Sequence, residues 1–107
     1  MDIHLTTMFG APLDYSLKAA DLPVIIGRGD QADVIVDDRW VSRVHCELSM
    51  LEDQLVVRDL ESKHGTYINE NAVGRAAVHS GDRLELGLTT LLVELQHADS
   101  HVTQGGA

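Results

Sequence analysis

No window of this chain repeats apolar residues at the three-and-four spacing of an amphipathic helix. Short apolar or alternating runs recur instead, each closed by turn residues. They read "IHLTTMF", "LPVIIG", "DVIV", "VHCELSML", "QLVVRDL", "GTYIN", "DRLELG" and "TLLVEL". Connections this short leave no room for the helical crossovers of βαβ units, so the runs predict an all-β fold, a sandwich of two antiparallel sheets. At 107 residues, 44% of them apolar, the chain can build one core but not two. A single domain over residues 1–96 is expected, with the polar "HADSHVTQGGA" at 97–107 as a flexible tail.

One hairpin can be read in register. "VHCELSML" and "QLVVRDL" flank a turn at Glu52 and Asp53, and centring there pairs Leu48 with Val57 and Glu47 with Arg58. One face then carries Val44, Cys46, Leu48, Met50, Leu55 and Val57, and the other His45, Glu47, Ser49 and Arg58. A slip of one residue would oppose Glu47 with Val57 and mix the faces, so the pattern selects this register. Asp59 falls at the end of the apolar face, where it is expected to accept loop N–H bonds. The open end of the hairpin sets Ser42 and Arg43 beside Ser62 and Lys63, about 5 Å apart at Cα. Two loops distant in sequence thereby share one surface.

Charge decides which ligands such a surface suits. Eight Lys and Arg against seventeen Asp and Glu leave a net charge of −9 with histidine neutral, which argues against broad attraction to nucleic acid. Screening limits surface fields to about 8 Å in physiological salt, so a local basic pocket can still hold an anion. No apolar run approaches the roughly 18 residues of a membrane span, and "MDIHLTTMFG" lacks the pattern of a signal peptide. A cytoplasmic protein that binds neither membrane nor nucleic acid is the default expectation. The single cysteine, Cys46, excludes an internal disulfide and reads as a small buried apolar residue.

Three segments at strand edges carry the candidate chemistry: "IIGRGD", "VSRVH" and "ESKHGTYIN". Arg28, Arg39, Arg43 and Lys63 fall in or beside them, with hydroxyls from Ser42 and Ser62. Guanidinium forks, an ammonium and hydroxyl donors are what phosphate oxygens require, because charge-assisted hydrogen bonds are shorter and stronger than neutral ones. The competing account is a set of turns with solvated charges, neutralised by Asp30, Asp37, Asp38 and Glu61 nearby in sequence. Chemistry alone leaves both readings open.

The order "GR … SRVH … DLESKHGTYIN" inside an all-β pattern resembles the forkhead-associated (FHA) domain, a phosphothreonine-peptide binding module. The resemblance runs from about Leu22 to about Leu95. It implies that Arg28 and Ser42 contact the phosphate, with Arg43 adding a contact and Lys63 supplying an ammonium where the family often has Thr or Ser. It implies that Gly27, His45 and Gly65 support the loops without touching the ligand. His64 stands where the family usually has Asn, whose amide bonds the peptide backbone beside the phosphothreonine; imidazole also donates and accepts, with different spacing. After Asn69 the family often has Gly, and here Glu70 and Asn71 are expected to make the turn. Trp40 falls in a loop that helps choose the peptide residue three places after the phosphothreonine. It implies an apolar preference there, or else the ring packs into the edge of the sandwich.

Ser42, His45 and Asp59 have the residue types of a hydrolytic triad, but no nucleophile elbow or oxyanion-hole loop accompanies them. Six histidines show no paired metal-ligand spacing. The expected function is therefore a non-enzymatic module, needing no cofactor, that binds a phosphothreonine-containing protein or peptide in signalling. The alternative is an FHA-like scaffold that binds a protein partner independently of phosphorylation.

Overall fold

The computed structural model describes residues 1–96, so the tail expected at 97–107 lies outside the described residues. Two sheets face each other. One orders its strands β2 (Asp14–Lys18), β1 (Asp2–Phe9), β11 (Thr89–Gln96), β10 (Arg83–Leu86), β7 (Thr66–Ile68) and β8 (Asn71–Val73). The other runs β4 (Val34–Ile35), β3 (Val24–Gly27), β5 (Cys46–Leu51), β6 (Gln54–Asp59) and β9 (Arg75–Val78). The two-sheet sandwich is the expected one, and its pairings are antiparallel except that the two-residue β4 joins β3 in parallel. Three strands escaped the sequence pattern: β2, β8 and β9. Each is short, and β8 offers only one partly buried residue to mark it, Val73.

Alternation explains which residues line the interior. Ile3 and Leu5 of β1, Leu84 and Leu86 of β10, and Leu91 and Val93 of β11 point inward from the first sheet, all fully buried. They meet Ile26, Cys46, Leu48 and Val57 of the second, also fully buried. Cys46 is thus the expected small core residue, and burial, with the Asp59 carboxylate nearby, pushes its thiol pKa up to about 12. Removing this much apolar surface from water is the main favourable term in holding the sheets together.

The β5–β6 hairpin has the expected register, Leu48 opposite Val57 and Glu47 opposite Arg58. Its turn residues Glu52 and Asp53 have φ of 51° and 67°, the paired positive values of a two-residue turn that matches strand twist. The β7–β8 hairpin corrects one expectation. Asn69 and Glu70, with φ of 49° and 73°, are its central residues, and Asn71 already pairs with Ile68 as the first residue of β8. Val44 likewise precedes β5, which begins at Cys46.

Strand β3 delivers the chain to the end of the sandwich where the three segments converge, and Gly27 makes the crossing possible. A Cβ at Gly27 would lie 2.1 Å from the Arg43 carbonyl oxygen, so only a residue without one lets the two backbones touch. Gly27→Ala is expected to lower the unfolding free energy by about 1 to 3 kcal/mol in a urea titration. Gly74→Ala, where a Cβ meets nothing within 4 Å, serves as the control and should change it by less than about 0.5 kcal/mol.

Candidate functional site

The backbone assembles the site before any charged side chain enters it. Past Gly27, the Arg28 N–H donates to the Ser42 carbonyl at 3.0 Å and the Gly29 N–H to the Arg43 carbonyl at 3.1 Å, zipping the first loop to the second. The third loop is tied to the second through His45. This ring is fully buried: its Nδ1 accepts the Ser42 N–H at 3.0 Å, and its Nε2–H donates to the Gly65 carbonyl at 2.8 Å. A ring that accepts at one nitrogen and donates at the other is in its neutral Nε2–H tautomer. Gly65 turns that carbonyl toward the ring with φ of +90°, a conformation that side chains rarely adopt.

Asp59 shapes the third loop from inside. Its carboxylate accepts the Ser62 N–H at 3.2 Å, the Ser62 hydroxyl at 2.5 Å and the Thr66 hydroxyl at 2.7 Å, and the Ser62 Oγ in turn accepts the Gly65 N–H. The expectation that Asp59 receives loop N–H bonds therefore holds. The grouping of Ser62 with the ligand hydroxyls does not, because its proton and one lone pair are spent within the loop. Ser42 differs. Its Oγ accepts the Lys63 N–H at 2.9 Å, leaving the hydroxyl proton free to be donated outward.

Arg28, Ser42, Arg43, Lys63 and His64 line one open groove of about 490 Å³, together with Trp40, Arg39 and Val41. Gly27, His45 and Gly65 stand behind it as supports. The Arg28 guanidinium is anchored at its neck, Nε donating to the Val41 carbonyl at 3.0 Å, while its outer nitrogens make no bond among the described residues. Trp40 is not packed into the sandwich edge: it is 45% exposed, with the His64 ring edge-on at 5.3 Å and Arg39 over its face at 5.9 Å. Arg39 lines the groove too, a cation to which the sequence alone gives no role. Its adjacency to Trp40 was the available signal.

Among the described residues none of Arg28, Arg39, Arg43 and Lys63 forms an ion pair; the carboxylate pairs involve His4, Arg58 and His79. Asp38, one of the acids expected to neutralise them, is buried and turned onto backbone N–H groups. Four cations without an ion pair and a hydroxyl donor in one groove are the groups that an anion's oxygens require. A larger concavity at the margin formed by β1, β2 and β11, about 860 Å³, sets Asp2, Asp21 and Glu94 against one lysine, Lys18, and has the opposite character.

Hydrolytic geometry is not present among these groups. His45 Nδ1 faces the amide of Ser42 rather than its hydroxyl, and no hydrogen bond joins Asp59 to His45. Among the described residues no three His, Cys, Asp or Glu side chains converge on a metal position, and no helix is long and apolar enough to cross a membrane.

A β-sandwich that presents ligand groups on loops braced by a buried histidine belongs to the class of loop-based binding domains. The family model for the FHA domain matches residues 24–87, well over half of the chain, and the chain belongs to that family. It is 32% identical over 89 residues to the FHA domain-containing protein FhaB of Mycobacterium tuberculosis, matching 82% of this chain but 57% of that protein. The chain thus spans little more than half the length of that relative. Among solved structures, it is similar to an FHA domain from a structural and functional analysis of phosphothreonine-dependent FHA domain interactions. That likeness has a TM-score of 0.81 at 29% identity, over 91% of this chain and 99% of the other. It is also similar to the FhaA FHA domain complexed with the intracellular domain of Rv3910, with a TM-score of 0.76 at 30% identity, over 86% of this chain and 99% of the other.

Acid should loosen the loops in a calculable direction. Burial alone would raise the pKa of Asp59, but the bonds from Ser62 and Thr66 outweigh it and hold the carboxyl below its ordinary 3.8. Asp38 is likewise lowered, its burial outweighed by bonds from Thr89, Trp40 and Leu88. A depressed folded value means the unfolded chain takes up the proton first, so this stabilisation is complete above about 3.8 and is lost as pH falls through the folded value. Asp59→Asn should melt below wild type at pH 7, and the gap should narrow below pH ~3.8 in a thermal series read by circular dichroism.

Proposed function

We propose that the groove binds phosphothreonine in a partner protein, so that the chain joins two proteins when a kinase has marked one of them. One observation carries this reading: four cations and the Ser42 hydroxyl share a groove while the acids beside them in sequence are spent elsewhere or stay unpaired. A phosphate monoester brings between one and a half and two negative charges and three acceptor oxygens, roughly the complement of this set. Membership in a family whose solved members include phosphothreonine-dependent domains supports the same ligand.

In this reading Arg28, held at its neck by Val41, neutralises the phosphate with its outer nitrogens, and the Ser42 hydroxyl fixes its orientation. Arg43 and Lys63 add charge from the two neighbouring loops. His64, exposed at the rim where the family usually has Asn, offers ring nitrogens to the peptide backbone. Trp40 gives an apolar preference at the third residue after the phosphothreonine. Binding, with no bond made or broken in the partner, is the whole activity. A reader of kinase marks works where ATP and kinases are, and a cytoplasmic location accords with this reading.

The test is an NMR titration of labelled protein with a degenerate phosphothreonine peptide mixture, beside its unphosphorylated counterpart at the same salt. Phosphate-dependent shifts should cluster at Arg28, Ser42, Arg43 and Lys63. Arg28→Ala should weaken phosphopeptide binding by about 2 to 5 kcal/mol, roughly 30-fold or more, because the phosphate is left underpaired. Equal shifts with both mixtures would discard the phosphothreonine reading in favour of a partner bound independently of phosphorylation.

A further inference from the structure

One cross-strand pair of the second sheet sets like charges against each other. Arg58 of β6 stands directly opposite Arg75 of the edge strand β9. One step along the ladder the Asp59 N–H donates to the Gly74 carbonyl. Arg58 and Arg75 are therefore a non-hydrogen-bonded pair, the kind whose side chains lie closer together. Like charges so placed destabilise a sheet, in a chain with more than twice as many acids as bases from which to draw a counter-ion.

The sheet provides one counter-ion for two guanidinium groups. Its outer face reads Ile25, Glu47, Arg58, Arg75 in a row from β3 to β9. Glu47 reaches the Arg58 guanidinium at 3.3 Å. It lies two strands from Arg75, about 10 Å across a sheet. Arg75 is exposed, and among the described residues it makes neither an ion pair nor a side-chain hydrogen bond. Asp59, next along β6, points to the other face, where Ser62 and Thr66 occupy its carboxylate.

Backbone groups beside this pair are open as well. β9 is the last strand of its sheet, and the alternation that turns the Gly74 carbonyl toward β6 turns the N–H and C=O of Arg75 and Ala77 away from it. Nothing among the described residues bonds them. Ala76 and Ala77 are too small to shield the edge, and a Cβ at neighbouring Gly74 would meet nothing within 4 Å. A cation on an edge strand is a guard against pairing with another copy, since two β9 edges side by side would bring their arginines together. An acidic strand meets no such barrier.

We propose that the β9 edge binds an extended acidic segment of a partner protein, added as one more strand of the second sheet, with a carboxylate set over Arg58 and Arg75. Main-chain bonds to Arg75 and Ala77 give the affinity. Alternate residues of a strand share a face, so acids at every second position give the selectivity. The surplus of acid elsewhere on the chain is screened beyond about 8 Å in physiological salt. This surface is built on β6 and β9 and uses no residue of the cationic groove, so it stands apart from the phosphothreonine reading.

The experiment is an NMR titration of the isotope-labelled 107-residue chain with a short unphosphorylated peptide that alternates Glu with Val. One control alternates Lys with Val; the other keeps the acids and replaces the central Val by Pro, which removes a ladder donor. With the Glu–Val peptide, amide shifts should centre on Arg58, Arg75 and Ala77. The Arg75 and Ala77 N–H groups should exchange with solvent about tenfold more slowly when it is bound. Arg75→Glu should weaken binding about tenfold or more yet melt at or above wild type, because it sets opposite charges across the pair. Arg75→Gln, which removes the charge alone, should give a smaller loss. No shift at β9, shifts confined to the cationic groove, equal binding by either control, or binding unchanged in Arg75→Glu overturns the proposal. So does a peptide-free dimer in which the Arg75 and Ala77 N–H groups are already protected.

Discussion

The four hydrogen bonds of His45 are the interaction on which the rest of the site depends. Its backbone N–H reaches the Ile26 carbonyl of β3, its carbonyl receives the Leu60 N–H, and its ring joins Ser42 to Gly65. Every segment that carries a ligand group is therefore one bond from the same residue. A buried imidazole left unbonded costs about 1 to 3 kcal/mol, so the ring holds its partners as firmly as they hold it. The three loops behave as one body because they share this buried polar centre, although they are distant in sequence.

Around that centre the protein sorts its charges by direction. It carries nine more acids than bases, yet one groove is lined by four cations, none of them in an ion pair among the described residues. Asp59 and Asp38 each gather three donors from loop N–H and hydroxyl groups, which stabilises the turns, and neither pairs with a cation of the groove. With charges screened beyond about 8 Å, a ligand in the groove responds to the cations beside it more than to the surplus of acid over the whole surface. An overall charge of −9 and a cation-lined groove are compatible for that reason.

The features legible in the sequence were those governed by a short period. The β5–β6 register followed from alternation alone, since a slip of one residue would have put Glu47 opposite an apolar partner in the core. Strands with weak alternation were not legible. β2 buries only Leu17, and "NAV" and "RAAV" present alanines and a glycine boundary where long β-branched runs would give a signal. In the site, Arg28, Ser42, Arg43 and Lys63 stand out by residue type and His64 by the family resemblance, and the structure gathers them in one groove. Ser62 was misgrouped because a serine's spacing does not say which way its hydroxyl turns.

The sequence by itself determined the all-β class, the hairpin register, the cations and supporting glycines near strand ends, and the family. Each of these depends on residues adjacent along the chain, on a period of two, or, for the family, on the order of three short motifs. Only the tertiary structure decided how side chains with several available partners would be spent. It turned Asp38 and Ser62 inward, left Ser42 open, set Trp40 against His64 rather than in the core, and brought Leu88 to the same end of the molecule. A carboxylate or hydroxyl can satisfy its hydrogen bonds in many ways, and the choice falls to groups tens of residues away that only packing of the two sheets brings within 3 Å.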